Sequence, residues 1–265
     1  MANSNLLYAL YAGHAPQMIV DRKIRTVGVL EGVGKKIAEL KPEAIVVCSS
    51  HFVGDGSFYA NTSKKLKCIQ DYYNFPQEYY KTTYEAGGAP ELGERIAKEA
   101  KKLKLSAEPT EEWGLDHSQW IPLLFLAPKK NIPVVSISIS NLSKKDHLAW
   151  GAAVRNAIEK GSKKVVFVGS GSLTHRLDLI MPGPNKSFPE SEVFDNAVKR
   201  CVESQNYERL LNFDKSLWET AKPEGELGPL LTTVGVAGKD FKGKQLFHER
   251  MNTGVTLSTF EFTKA

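Results

Sequence analysis

Cysteine is scarce and unpatterned: Cys48, Cys68 and Cys201 are odd in number, widely spaced and in no CxxC pair. That excludes a disulfide framework and a cysteine-rich zinc site, and it leaves thiols expected to be reduced and mostly buried. Long apolar runs are missing too. Nothing in the chain approaches the roughly 20 residues needed to span a bilayer, so no membrane helix is expected. Met1–Leu10 lacks the basic start, apolar centre and small-residue cleavage site of a secretory leader, which points to a cytoplasmic protein. No internal repeat or low-complexity tract is present. Charge of one sign is not concentrated either: the net +5 comes from lysines in stretches such as Lys98–Lys104 and Lys239–Lys244, with acidic residues nearby. Such a pattern is a solvated face, and with no recognition motif beside it no nucleic-acid partner is expected. A weak positive field would suit an anionic small substrate.

What is there fits an enzyme-sized α/β protein. The 265 residues, 42% hydrophobic and 25% charged, are enough to bury a substantial core, and a single catalytic domain over residues 1–265 is expected. Leu6–Tyr11, Ala44–Cys48, Val134–Ser138 and Val165–Val168 are short, continuous apolar runs of the kind found in strands buried on both faces. Between and after them, Gly28–Leu40, Pro90–Leu103, Asp146–Lys160 and Glu190–Glu203 carry apolar residues at helical spacing with charge opposite. That alternation predicts an α/β sandwich with a mostly parallel central sheet flanked by helices. Gly254–Phe262 alternates with period two and reads as a closing edge or antiparallel strand. Asn61–Gly88 and Met181–Pro189 are long for connections, as lids and subunit contacts often are.

The histidines carry the chemical signal. His14 follows the first apolar run, His51 the second and His175 that of Val165–Val168, so three of the six histidines stand just past strand C-terminal ends. In open α/β sheets those ends form the ligand crevice, which lets residues far apart in sequence converge. A lone histidine after a strand is more often a hydrogen-bonded loop residue than a ligand. Small neighbours at Gly13, Ser49, Ser50, Gly169 and Gly171 favour the functional reading, because they permit close approach of a bound group. His117 precedes the apolar helical stretch Ile121–Leu126, where Asp116 or Ser118 could serve only as a cap, yet a histidine at a helix N-terminus also suits contact with an anionic oxygen. His147 and His248 receive no chemistry.

Two imidazoles do not name a metal. A third, carboxylate ligand would complete the facial arrangement that leaves positions open on Fe(II), and Glu224 and Glu226 in Pro223–Leu231 are the candidates. They stand at the start of an apolar helical run through Ala237, where acidic residues often only complement the helix dipole.

Taken together, Gly-His-Ala-Pro at 13–16, Ser-Ser-His-Phe at 49–52, Ala-Pro-Glu-Leu-Gly at 89–93, Gly-Leu-Asp-His at 114–117, Gly-Ser-Gly-Ser-Leu-Thr-His-Arg at 169–176 and Glu-Leu at 226–227 resemble the class III extradiol ring-cleavage dioxygenases. The resemblance spans nearly the whole chain and implies Fe(II) held by His14, His51 and Glu226, with Glu224 as the alternative ligand. It implies His175 as the acid/base and His117 as a group that holds substrate or oxygen. The implied reaction is insertion of dioxygen into a catechol ring, with a carboxylated catechol as the leading substrate, an aminophenol as runner-up, and a homo-oligomer as the assembly. No ring-substituent contact can be matched: Arg176, Tyr73, Tyr84 and Trp120 lie near the motifs but suit packing or surface roles. Two other readings share the residues. A zinc hydrolase would also use two histidines and a carboxylate, and a binding protein could keep the fold without redox chemistry.

Overall fold

The computed structural model describes residues 4–180 and 188–265. Its strands are β1 (Leu6–Ala12), β2 (Ala44–Gly54), β3 (Phe58–Asn61), β4 (Lys65–Leu66), β5 (Ala86–Gly87), β6 (Ala107–Thr110), β7 (Val134–Ser140), β8 (Val165–Ser170), β9 (Phe241–Asn252) and β10 (Val255–Lys264). The α-helices are α1 (Arg25–Leu40), α2 (Pro90–Lys102), α3 (His117–Leu126), α4 (Lys144–Glu159), α5 (Pro189–Glu203), α6 (Tyr207–Leu211), α7 (Lys215–Ala221) and α8 (Gly228–Ala237). Among the described residues, eight strands form one mixed sheet in the order β6-β3-β7-β2-β8-β1-β10-β9. Its centre, β7-β2-β8-β1, is parallel, and the four apolar runs of the sequence are those four strands.

The period-two geometry of a strand sends alternate side chains to opposite faces. In β1, Ala9 and Tyr11 enter one core while Tyr8, Leu10 and Ala12 enter the other, and β8 divides likewise, Val165 and Phe167 against Val166 and Val168. One face is covered by α1 and α3, the other by α2, α4, α5 and α8. Helix α4 begins at a capping box in which Ser143 and Asp146 satisfy each other's backbone N–H. Helix α8 is buried on nearly every side, and it packs so closely that a Cβ on Gly169 of β8 would lie 2.6 Å from the Pro229 carbonyl oxygen.

Several expected boundaries move. Helix α1 starts at Arg25, where Glu249 accepts hydrogen bonds from the backbone N–H and the hydroxyl of Thr26, a long-range cap that local periodicity does not contain. The C-terminal strand is antiparallel as expected but is not the sheet edge; β9 pairs outside it, its exposed Lys242 and Lys244 protecting the edge from further pairing. Asn61–Gly88 is an excursion holding the small β4–β5 pair and a 3₁₀ turn at Gln77–Lys81. Met181–Ser187, most of the second long connection, lies outside the described residues.

Candidate metal centre

Strand order explains the convergence, because β2, β8 and β1 are consecutive neighbours running parallel and their C-terminal ends lie side by side. His14 leaves β1 immediately after Gly13, where a Cβ would sit 2.8 Å from the Leu257 Cα; only glycine lets the chain pass. His51 lies within β2 rather than beyond it. The pairing of β2 with β7 jumps register between Cys48 and Val53, and the irregular stretch is held by the Ser49 hydroxyl, which accepts from the backbone N–H of both His51 and Phe52 at 2.8 Å. Ser49 donates in turn to Asp116 at 2.6 Å. Asp116 also caps α3, accepting from Ser118 N, so one carboxylate ties the His51 strand to the helix that begins at His117.

The two candidate glutamates separate completely. Pro223 is followed by a turn in which Gly225, Glu226 and Leu227 all have positive φ, at 55°, 53° and 57°. This left-handed turn, costly for residues with a Cβ, sends neighbours two apart in different directions. Glu224 is buried, its Oε1 2.9 Å from His51 Nε2 and 3.5 Å from His14 Nε2, with Ser50 Oγ donating to the same oxygen at 2.8 Å and Ser172 N to Oε2 at 2.8 Å. Glu226, expected as the ligand, is exposed and accepts from Trp218 Nε1 at 2.5 Å, away from the histidines. The expectation of Glu226 at the centre is therefore corrected by the geometry of the turn.

His117 joins the group. The ring nitrogens of His14, His51 and His117 include atoms all within 4.8 Å of one another, and the His51 and His117 rings are 4.3 Å apart, edge to face. His175 borders the same cavity of about 300 Å³, whose other walls include Tyr72, Phe75, Leu177, Ile180, Met251 and Val255. Asp71 was not singled out in the sequence. It comes from the Asn61–Gly88 excursion and accepts from both His51 Nδ1 at 2.7 Å and His117 Nδ1 at 2.8 Å. An aspartate among aromatic residues in a long connection carries no local signal for that role.

Burial pushes the His14 imidazole down to about 3, against the pull of Glu224, so it is a neutral donor. Burial also acts against a proton on His51, but the hydrogen bonds to Asp71 and Glu224 outweigh it and hold this ring up to about 10. Glu224, though buried, is kept well below the usual carboxylate range by the imidazoles around it. The donor set fits a first-row divalent ion: ligands about 2.1 Å from one ion and at right angles stand about 3 Å apart, close to the two glutamate–imidazole separations.

The remaining residues near the motifs have structural partners. Trp120 is buried and donates to the Ile69 carbonyl, Tyr84 donates to Ala127, Arg176 is engaged by Asp178 and Thr220, and Tyr73 is exposed. His147 is packed against Gly228 and His248 is bonded to Ser258, outside the cluster. All three cysteines are free.

Fold and cluster together define a class: an α/β protein whose parallel strand ends assemble a histidine–carboxylate centre able to hold a metal ion. The chain belongs to the family described as the catalytic LigB subunit of aromatic ring-opening dioxygenase, whose model matches residues 8–262. It is 31% identical over 261 residues to a protein of Mirabilis jalapa named 4,5-DOPA dioxygenase extradiol, covering 96% of each chain. It is 28% identical to an Escherichia coli 3,4-dihydroxyphenylacetate 2,3-dioxygenase, covering 82% of this chain and 83% of that one. The solved structure of the uncharacterized protein JW3007 from Escherichia coli K12 has the same fold, with a TM-score of 0.78 and 21% identity over 96% of this chain and 99% of that one. The protein is thus an oxidoreductase of the extradiol ring-cleavage type, and the α/β expectation holds.

Proposed function

We propose that the protein is an Fe(II)-dependent extradiol dioxygenase that opens the ring of a catechol, with His14, His51 and Glu224 as the metal ligands. The observation that carries this reading is the buried Glu224 carboxylate between two imidazoles, beside a cavity of about 300 Å³ that suits a single aromatic ring. Fe(II) there would bring a catechol and dioxygen onto one centre and let electrons pass between partners that react sluggishly alone. The protein's own groups do the rest. His175, outside the ligand set, takes the proton of a ring hydroxyl as substrate seats and returns it later in the reaction. His117, held by Asp71 through its Nδ1 edge, offers Nε2 to oxygen or substrate. Tyr72, Phe75 and Ile180 exclude water from the ring.

The resemblance implies a carboxylated catechol as the leading substrate, and the positive net charge leans the same way. Among the described residues lining the cavity there is no lysine or arginine; the polar side chains available to a ring substituent are those of Gln17 and Asn252. Asn252 spends its Oδ1 on the backbone N–H of Gly254 and Val255, so its amide N–H₂ is left to donate. We assign a substituent carboxylate, where the substrate has one, to these neutral donors, with an aminophenol as the alternative ring. We further propose one catalytic domain over residues 1–265, a cytoplasmic location and a homo-oligomer. Among the described residues no helix is long and apolar enough to cross a membrane.

The test is oxygen uptake by anaerobically prepared, Fe(II)-loaded protein offered catechol, dihydroxyphenylacetate, protocatechuate, DOPA and 2-aminophenol. One dioxygen consumed per substrate, with a yellow product, is expected for at least one member. No uptake from any of them with iron bound would reject the reading, and oxygen-independent hydrolysis by the zinc-loaded protein would favour the hydrolase.

A further inference from the structure

Every hydrogen-bonding position of Asp71 that faces the cluster is occupied by a donor from a histidine. Its Oδ1 accepts from both the backbone N–H of His117, at 2.8 Å, and the His117 ring Nδ1, at 2.8 Å, while its Oδ2 accepts from His51 Nδ1 at 2.7 Å. The oxygens lie against the Nδ1 edges, on the far side of the His51 ring from the Nε2 that faces Glu224. A metal ion bound at Nε2 is therefore out of Asp71's reach, and the carboxylate is not itself a ligand of that ion.

We propose that Asp71 is a positioning residue that sets both imidazoles at once, holding the proton of His51 and of His117 on Nδ1 so that both Nε2 atoms are presented to the cavity. It is the link by which the Asn61–Gly88 excursion shapes the centre. The inference rests on the metal-binding reading above. A neutral imidazole has one N–H and one lone pair, and the partner of the first nitrogen decides which nitrogen can bind a metal. A carboxylate offers only acceptors, so once a metal occupies Nε2 of His51 and the ring keeps a single proton, that proton is held on Nδ1, as it is on His117.

An amide in its place breaks this symmetry in a direction the structure dictates. The backbone N–H of His117 cannot change sign, so the amide oxygen introduced by Asp71→Asn must take the Oδ1 position and the amide NH₂ must face His51 Nδ1. His51 can then satisfy that donor only by moving its own proton to Nε2, which removes the lone pair a metal needs. Alanine is gentler in this respect: the His51 side chain is 24% exposed, so water can accept its Nδ1–H once the carboxylate is gone.

The experiment compares anaerobic Fe(II) binding by the wild-type protein, Asp71→Asn and Asp71→Ala, using the metal alone and calorimetry. Asp71→Asn is expected to lose about 10–100-fold in affinity, the usual cost of removing the partner of a ligating histidine, and Asp71→Ala to lose less. A structural role for Asp71 predicts the reverse order, because asparagine preserves the packing and alanine does not. Asp71→Asn binding as tightly as wild type, or alanine proving the worse of the two, would overturn the proposal. Failure of the wild-type protein to bind Fe(II) would overturn this inference together with the reading beneath it, whereas wild-type binding with no effect of Asp71→Asn would sink the inference alone. A second measurement needs no variant: long-range ¹H–¹⁵N spectra of the wild-type protein loaded with Zn(II) should place protons on Nδ1 of both His51 and His117. A sole ring proton on Nε2 of His117 contradicts the proposal.

Discussion

Glu224 and Glu226 differ by two positions and by everything that matters chemically. One is buried with its carboxylate shared among His51, Ser50 and the Ser172 N–H; the other is exposed on Trp218. Glu224→Gln should weaken Fe(II) binding by at least about 100-fold if Glu224 is the charged ligand proposed above rather than the partner of one, while Glu226→Gln should leave affinity and turnover unchanged; metal titration of the two variants checks this. His175→Ala should bind Fe(II) as tightly as wild type and lose about 10²–10⁴-fold in kcat, the usual contribution of a positioned acid/base. Retention of wild-type turnover would remove His175 from its role. Four histidines at the cavity were legible in the sequence because each follows an apolar run or opens a helix, and strand ends are where such residues meet. The glutamate register was not, because a left-handed turn through Glu226 and Leu227 has no signature in residues that rarely adopt it. Asp71 was invisible for a different reason: its hydrogen bonds exist only after the excursion that carries it has folded over the strand ends.

Elements pack here through small residues as much as through large ones. A Cβ on Gly151 of α4 would lie 2.1 Å from the Thr232 carbonyl oxygen of α8, and one on Gly235 of α8 would lie 2.2 Å from the Leu148 carbonyl oxygen of α4. The two helices thus meet backbone to backbone. Gly151→Ala should destabilise the protein by about 1–3 kcal/mol, the range for overpacking a close contact, and denaturant unfolding measures it. An unchanged unfolding midpoint would show that α4 and α8 can separate freely. The central parallel strands and the main helices were readable from apolar periodicity. Strands β3, β6 and β9 were not, because they are short, or half-exposed and charged, and exist by pairing with the centre of the sheet rather than by their own pattern.

At the scale of the whole molecule, one buried carboxylate links the back of the site to stability. Asp195 of α5 is 3% exposed, accepts from Thr174 Oγ1 at 2.9 Å and faces His248 at 3.7 Å, and Thr174 is the residue before His175. Burial raises its carboxyl to about 7 from an ordinary value of 3.8. A group whose pKa is raised on folding adds stability that is fully present below the unfolded value and is lost as pH rises through the folded one. The wild-type protein should therefore lose stability relative to Asp195→Asn between pH 4 and pH 7. Thermal unfolding of the pair across that window checks it; a constant difference in midpoint would place the ionised carboxylate in the folded protein throughout.

In the proposed reaction this centre delivers both atoms of dioxygen into an aromatic ring. The most direct measurement is mass spectrometry of the product formed from a catechol under ¹⁸O₂ by Fe(II)-loaded protein, quenched before aldehyde oxygen exchanges with water. A ring-opened product carrying two ¹⁸O atoms is expected, with no such product from Glu224→Gln. A product labelled by one atom or none, or formed equally well without iron, would contradict it.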